Sequence, residues 1–201
     1  MPDASGVHRS ALLIVDVQND FCTGGALAVP GSERVIKALN RYVADAVTRS
    51  IPVYASRDWH PAETSHFKAY GGIWPVHCVQ NSQGARFHPD LQLPSDAIII
   101  SKGDETERPG YSALEGRTPD GTPLLTDLRQ RGITHLYVGG LATDYCVKHS
   151  VVDASAAGLT VTVLEDAIAG VDLQPGDSER AIAEMRESGA DIHAHGGALL
   201  R

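Results

Sequence analysis

The sequence is poor in cysteine and in long apolar runs, and each shortage excludes a class of protein. It has three cysteines in 201 residues, widely spaced and without a C-x-x-C pair. A disulfide framework is therefore not expected, and a reducing compartment fits. No apolar run approaches the roughly 18 residues of a membrane-spanning helix. The N-terminal run MPDASGVHRS lacks the charged start and apolar core of a signal peptide, so we expect a cytoplasmic protein.

Clusters of basic residues are also missing. The net charge is -8 and the pI is near 5.5, which argues against a nucleic-acid partner. The first apolar run is followed by DVQNDF rather than by G-x-G-x-x-G, so a dinucleotide-binding oxidoreductase is disfavoured. The composition, with 42% hydrophobic and 21% charged residues, is that of a globular protein.

Short apolar runs alternate with longer amphipathic stretches along the chain. The runs are rich in Val, Ile and Leu and apolar on both faces, as buried parallel strands are; they cover 11–17, 52–56, 97–101, 135–140 and 160–164, with a weaker sixth near 190–193. Helices are predicted at 32–50, with Ser32 as N-cap, and at 122–131, 144–157 and 178–188. This alternation predicts a three-layer αβα fold, with a six-stranded, mostly parallel sheet and helices on both faces.

One connection breaks the alternation. Residues 57–94 form a Gly-, Pro- and His-rich run far longer than ordinary strand-to-helix connections. Its two Trp, four His and few charges predict an ordered, functional loop. We therefore expect a single domain, residues 1–201, that carries a long loop at about 57–94.

Residues with catalytic chemistry follow three of the predicted strands. Asp16 follows ALLIV, Lys102 follows AIIIS, and Cys146 follows HLYVGG at the end of LATDYC. Ligands of open α/β sheets bind beyond the carboxyl ends of the strands, so these three side chains are expected at one edge. Taken singly, each is better explained as a turn residue, a solvated lysine or a small core residue. Taken together, they favour a catalytic site.

The chemistry of this trio suits acyl transfer at a carbonyl. A nucleophilic Cys146 must be a thiolate, although free thiols titrate at about 8.5. The start of a helix and the ammonium of Lys102 are expected to lower the pKa of this thiol. Asp16 can accept the thiol proton and pass it to a leaving amine. The backbone amides of Ala142 and Cys146 are candidates for an oxyanion hole.

The long loop contributes a set of metal-binding side chains. Asp58, His60 and His66 lie in DWHPAETSHF, and His77 lies in WPVHC. Taken singly, these histidines are better explained as turn residues, but the set predicts one divalent transition metal, with zinc preferred and iron or manganese as alternatives. Cys78 is a weaker candidate ligand. Residues of these types without such neighbours are interpreted as packing, structural or surface residues, among them Cys22, His88, His193 and His195.

Five segments carry a family resemblance: LLIVDVQNDFCTGGALAV, DWHPAETSHF, GGIWPVHCVQNSQGARFHPDL, ISKG and VGGLATDYCVKHSVVDA. Together, from about Ala11 to Ala169, they resemble the nicotinamidase/pyrazinamidase group of the isochorismatase-like cysteine hydrolases. DVQNDF and GLATDYCV are typical of the superfamily, and D-x-H with WPVHC is typical of the nicotinamidases. Tyr145 departs from relatives that have a histidine before the cysteine.

The resemblance implies roles for many of these residues. It implies a triad of Asp16, Lys102 and Cys146, and an oxyanion hole at Ala142 and Cys146 after a cis Leu141–Ala142 peptide. Metal ligands would be Asp58, His60, His77 and His66. A pyridine pocket would be lined by Phe21, Trp74, Tyr111 and Leu141. The implied reaction converts nicotinamide to nicotinate and ammonia, and pyrazinamide to pyrazinoate, through a Cys146 thioester.

Two alternatives stay open at this point. A metal-independent hydrolase of the same fold, acting on isochorismate or on a carbamoyl or ureido substrate, would keep the triad and would not need the metal ligands. A non-catalytic protein with a structural metal would have inert thiols. The expected partner is a small-molecule amide, with neither nucleic acid nor membrane, and the chain is expected to be a monomer or homodimer.

Overall fold

The computed structural model describes residues 9–193 and contains a six-stranded sheet. The strands are β1 (Arg9–Val15), β2 (Val53–Asp58), β3 (Ile98–Lys102), β4 (Ile133–Leu141), β5 (Thr160–Ala169) and β6 (Asp191–His193). Their order is β3-β2-β1-β4-β5-β6, and every neighbouring pair is parallel. The predicted fold class is confirmed, and the order reverses between β1 and β4, which is where such sheets bind ligands.

Four helices cover the two faces of this sheet: α1 (Ser32–Thr48), α2 (Leu124–Gln130), α3 (Lys148–Ala156) and α4 (Asp177–Glu187). Successive side chains of a strand point to opposite faces. Leu12 and Ile14 of β1 accordingly join the core beneath α1, whereas Leu13 and Val15 join the core beneath the other three helices. Among residues 9–193, none of the helices combines the length and the apolar character needed to cross a bilayer.

The strand boundaries lie within two residues of the prediction, except at the end of β5. β1 ends at Val15 instead of Val17, because Asp16 has a φ of 50° and turns the chain away from the sheet. β5 continues beyond Leu164 to Ala169. Its charged residues hid this extension, yet Asp166 remains in the strand and accepts hydrogen bonds from Arg41 and Tyr42, both at 2.9 Å.

The start of α1 and the helix after β4 also differ from the prediction. Ser32 is the first residue of α1 rather than its N-cap, which is Gly31 in a left-handed conformation (φ 84°). The predicted helix at 144–157 is divided: Thr143–Val147 form a π-helical turn, and α3 begins only at Lys148. In that turn the Val147 amide donates to the Ala142 carbonyl at 3.1 Å, five residues back.

The long loop between β2 and β3 is held down by main-chain hydrogen bonds. Since β2 includes Asp58, the loop begins at Trp59. The His60 amide donates to the Cys78 carbonyl at 3.0 Å, and the Gln80 amide donates to the His60 carbonyl at 2.9 Å. Phe67, in the middle of the loop, is fully buried. The loop therefore folds back on itself and brings its two halves together beside the end of β2.

A pair of valines on α1 tests the packing against the sheet. Val43 is 4% exposed, whereas Val47, one turn later, is 54% exposed. Val43→Ala should lower the free energy of unfolding by about 1–2 kcal/mol, because it removes buried methyl groups. Val47→Ala should change it by less than about 0.5 kcal/mol. Urea unfolding followed by circular dichroism measures both values, and equal effects would contradict this packing.

Candidate active site and metal centre

Four strand ends bring together the polar residues that the sequence pointed to. Asp16 follows β1, Asp58 ends β2, Lys102 ends β3, and Cys146 lies in the π-helical turn after β4. All four side chains are buried. The site thus lies where the strand order reverses, and a carboxylate oxygen of Asp16, one of Asp58 and the Cys146 sulfur lie within 4.8 Å of one another.

The ammonium of Lys102 lies at the centre of this group. Its Nζ atom contacts Asp58 Oδ1 at 2.5 Å, Asp16 Oδ2 at 2.7 Å, the Gly110 carbonyl at 3.0 Å and Cys146 Sγ at 3.5 Å. Burial by itself would lower the pKa of this lysine, but Asp16 and Asp58 reverse the effect and raise it well above the ordinary value. Lys102 is therefore a permanent cation between two carboxylates.

The pKa of the Cys146 thiol is shifted upwards, whereas the sequence predicted a downward shift. Burial raises its pKa well above the ordinary value, and the nearby Lys102 ammonium only partly opposes this rise. The expected lowering of the Cys146 pKa is therefore wrong, and the thiol keeps its proton in this buried site. Burial also raises the pKa of Asp16, so this carboxylate accepts a proton more readily than a solvated one.

Three histidines of the long loop converge beside Asp58. Nitrogens of His60, His66 and His77 lie within 4.8 Å of one another. Asp58 Oδ2 lies 3.5 Å from His60 Nε2 and 3.9 Å from His77 Nε2. The three expected histidine ligands thus form one cluster, and the expected Asp58 ligand lies beside two of them. Cys78, the weaker candidate, is fully buried in the core beneath α1.

His60 and His77 have the hydrogen bonds that are typical of metal-ligating histidines. Nδ1 of His60 lies 2.8 Å from the Gly103 carbonyl, and Nδ1 of His77 lies 2.8 Å from the Pro75 carbonyl. A carbonyl only accepts, so each Nδ1 carries the proton and each Nε2 presents a lone pair to the cluster. His60 Nε2 is buried and has no hydrogen-bond partner within residues 9–193. This is the arrangement that a bound cation satisfies.

The charge states of the cluster also suit a divalent metal. Burial lowers the pKa of His66 to about 3 and also lowers that of His77, so both rings are neutral and can coordinate. Burial tends to raise the pKa of Asp58, but the Lys102 ammonium and the neighbouring histidines lower it far below its usual range. Three imidazole nitrogens and one carboxylate form a donor set that zinc, iron and manganese accept.

A small cavity connects the metal cluster to the thiol. It encloses about 330 Å³ of space free of protein atoms, including its open mouth. Phe21, Trp74 and Tyr111 line it as the resemblance implied, whereas Leu141 does not, being fully buried in the core beneath α1. The remaining lining residues are Leu27, Asp58, His66, His77, Ala142, Tyr145, Cys146 and Val171.

Leu27, Tyr145 and Val171 were not among the residues assigned to the pocket. Tyr145 directly precedes Cys146, and the sequence marks it only as a departure from relatives that have a histidine there. Its ring meets that of Trp74 edge-on, with centroids 4.8 Å apart. Leu27 lies in the apolar run after two glycines, which is a weak signal. No sequence signal marks Val171. Its backbone amide donates a hydrogen bond to the Asp144 carboxylate at 3.0 Å.

Cys22, His88 and His193, interpreted from the sequence as packing, structural or surface residues, do not line this cavity. Cys22 packs in the core beneath α1, and burial raises its pKa to about 11. His88 lies near Asp90, and His193 ends β6. His195 lies outside the described residues. The Leu141–Ala142 peptide is cis, as the resemblance implied.

Comparison with known proteins agrees with this site. A profile of the isochorismatase domain matches residues 10–195. The chain belongs to the isochorismatase family. A nicotinamidase of Escherichia coli strain K12 is 42% identical over 200 residues, which cover 91% of this chain and 93% of that protein. A nicotinamidase/pyrazinamidase of Mycobacterium tuberculosis is 42% identical over 185 residues, which cover 90% of this chain and 97% of that protein.

A solved structure of this family superimposes on the fold. The pyrazinamidase of Pyrococcus horikoshii in complex with zinc gives a TM-score of 0.85 at 41% identity, covering 93% of this chain and 99% of that one. This isochorismatase-family chain therefore shares its fold with a relative whose structure is known with bound zinc.

Removal of one histidine tests the metal centre. His60→Ala should weaken Zn²⁺ binding by about 100-fold or more, because it deletes a buried donor whose Nε2 has no other partner among the described residues. His88→Ala, a histidine outside the cluster, is the matched control and should bind zinc as the parent does. Competition with a chromophoric chelator measures both dissociation constants. Unchanged binding by the His60 variant would contradict the assignment.

Proposed function

We propose that this isochorismatase-family chain is a metal-dependent cysteine amidohydrolase that converts nicotinamide to nicotinate and ammonia, and pyrazinamide to pyrazinoate. The observation that carries the proposal is the shared Asp58 carboxylate, which contacts Lys102 at 2.5 Å on one side and faces His60 at 3.5 Å on the other. Asp58 thus links the proposed triad, through Lys102, to the proposed metal ligands, and Cys146, Asp58, His66 and His77 line one cavity.

The triad residues supply the proton transfers. Asp16 takes the proton of the Cys146 thiol as the sulfur attacks the amide carbon, and a C–S bond forms while the carbonyl becomes an oxyanion. The N–H groups of Ala142 and Cys146 are assigned to that oxyanion. Asp16 then gives its proton to the departing amine, so that ammonia leaves and a thioester remains.

The second half of the reaction uses the same groups. Asp16 accepts a proton from water, whose oxygen attacks the thioester carbon. The C–S bond then breaks, the proton on Asp16 returns to the Cys146 sulfur, and the carboxylic acid product loses its own proton to solvent as it leaves. Throughout both halves, the Lys102 ammonium holds the Asp16 carboxylate at 2.7 Å and keeps it oriented towards the sulfur.

The metal centre is assigned to substrate binding. Asp58, His60, His66 and His77 would hold one divalent ion, with zinc preferred and iron or manganese as alternatives. When bound, that ion supplies a Lewis acid for the pyridine nitrogen and so orients the ring. Phe21, Trp74 and Tyr111 provide apolar walls for a flat heteroaromatic substrate, and Trp74 Nε1 is itself satisfied by Tyr111 Oη at 2.9 Å.

The wider setting is proposed on the same basis. All three cysteines are free, which suits the reducing cytoplasm and a role in pyridine nucleotide salvage. The chain is proposed to be a single catalytic domain and a monomer or homodimer.

Replacement of the nucleophile tests the cysteine chemistry. Cys146→Ala should reduce ammonia release from nicotinamide by about 10⁴-fold or more while Zn²⁺ binding stays intact, since the sulfur is outside the proposed ligand set. Cys22→Ala, a buried thiol away from the cavity, should keep turnover within a few-fold. Substantial turnover by the Cys146 variant would overturn the nucleophile assignment.

Metal removal tests the other half of the proposal. Chelation and dialysis should abolish ammonia release from nicotinamide, and added Zn²⁺, Mn²⁺ or Fe²⁺ should restore it, because the metal centre is assigned to hold the ring. If ammonia release persisted after the metal was removed, the histidines would have a structural role only. No release from metal-replete protein would favour a hydrolase of isochorismate or of carbamoyl or ureido substrates, and these compounds would be assayed next.

A further inference from the structure

Gln18, in the DVQNDF segment, has no role in the proposed mechanism. Asp16 is assigned to proton transfer and Phe21 lines the cavity, but the fully buried Gln18 contacts neither a reacting atom nor the cavity. Its side chain binds main-chain groups instead. Nε2 donates to the Asp58 carbonyl at 2.8 Å and to the Ala85 carbonyl at 2.9 Å, and Oε1 accepts from the Asp58 amide at 2.8 Å.

The reason for these bonds lies in the end of strand pairing between β1 and β2. The last bond of that ladder joins the Asp16 amide to the Ser56 carbonyl at 3.2 Å. In a regular parallel ladder the Asp58 amide would next donate to the Asp16 carbonyl. The turn at Asp16 directs that carbonyl to the Gln18 amide at 2.9 Å instead. The Gln18 side chain takes over the vacated position and hydrogen-bonds Asp58 as a strand would.

Glutamine suits this position because it offers donors and an acceptor at one terminus. Two carbonyls and one N–H face it, so the site needs two donors and one acceptor. A glutamate would place a second oxygen against two carbonyls, and an apolar side chain would leave three buried main-chain groups without these bonds. Asparagine has the right chemistry but is one methylene shorter.

The main chain of Gln18 is itself held in place. The Asn19 amide donates to the Arg86 carbonyl at 2.9 Å, and the His88 amide donates to the Val17 carbonyl at 2.9 Å. Gln18 thus connects the end of β1, the end of β2 and the returning end of the long loop at Ala85. A displacement of its amide would move the Asp58 main chain.

Such a displacement would affect both halves of the site. The Asp58 carboxylate reaches Lys102 with Oδ1 at 2.5 Å and faces His60 and His77 with Oδ2 at 3.5 and 3.9 Å. The carboxyl group is only two bonds from its own Cα, so it cannot compensate for a shift of the backbone by changing rotamer. Both its oxygens are committed in different directions.

We propose that Gln18 is a positioning residue that sets the Asp58 carboxylate between Lys102 and the metal-binding histidines. Through Asp58 it acts on metal affinity and on the Lys102–Asp16 pair at the same time. The part of this inference that concerns turnover rests on the proposed function, whereas the part that concerns metal affinity does not.

Gln18→Met tests the proposal, because methionine keeps the length of the side chain and removes its hydrogen bonds. Gln80→Met is the matched control. Gln80 lies in the long loop between β2 and β3, and its side chain donates to the Trp59 carbonyl at 2.9 Å but has no bond to Asp58. We expect the Gln18 variant to bind Zn²⁺ about 10–100-fold more weakly than the parent, and the Gln80 variant to bind it normally. Chelator competition measures both.

Turnover at saturating Zn²⁺ gives a second readout. The Gln18 variant should release ammonia from nicotinamide with a kcat reduced about tenfold or more even when fully metallated, because Lys102 loses its fixed partner. A merely structural role predicts a lower Tm with parental zinc affinity and parental kcat in the metallated enzyme, and that result would overturn the proposal. Equal losses in the Gln18 and Gln80 variants would overturn it too.

Two further outcomes are distinguishable. If the parent protein does not hydrolyse nicotinamide, the proposed function fails, while the zinc measurement still decides the role of Gln18. If the methionine variant does not fold, Gln18→Asn replaces it, because the shorter amide keeps the polarity and loses the reach. Parental zinc affinity in the asparagine variant would then contradict the inference.

Discussion

The rest of the site depends on the paired contacts of the buried Lys102 ammonium with Asp16 and Asp58. A buried charge is costly unless it is paired and hydrogen-bonded, and removal of one partner leaves the others uncompensated. Two carboxylates and the Gly110 carbonyl surround this one cation. The arrangement therefore fixes the relative positions of β1, β2 and β3 at their carboxyl ends, and it joins the thiol to the metal-binding cluster.

Topology supplies the positions that this interaction requires. The order β3-β2-β1-β4-β5-β6 places the strands that carry Lys102, Asp58 and Asp16 side by side, with Cys146 following the next strand. The early turn at Asp16 opens the sheet edge and leaves the Asp58 main chain without its strand partner. Gln18 fills that gap with a side chain, so the turn that places Asp16 beside Lys102 also leaves the Asp58 main chain in need of another partner.

Burial determines how protons move in the pocket. It raises the pKa of both Cys146 and Asp16, and it keeps His66 and His77 neutral. In the proposed mechanism, the Cys146 thiol is therefore protonated at rest and passes its proton directly to Asp16. The Nδ1 atoms of His60 and His77 lie against carbonyls, which leaves their Nε2 atoms for a cation. One low-dielectric pocket accounts for both properties.

The sequence by itself determined the sheet and the residue types of the site, because apolar runs and the polar residues after them are local signals. Asp16, Lys102 and Cys146 follow three such runs, and the spacing of Asp58, His60, His66 and His77 in an unusually long loop indicated a metal. Only the tertiary structure decided the rest. The turn at Asp16, the extension of β5 and the packing of Leu141 away from the cavity depend on distant contacts. So do the upward pKa shift of Cys146, which follows from burial, and the bonds of Gln18 to Asp58, 40 residues away in sequence.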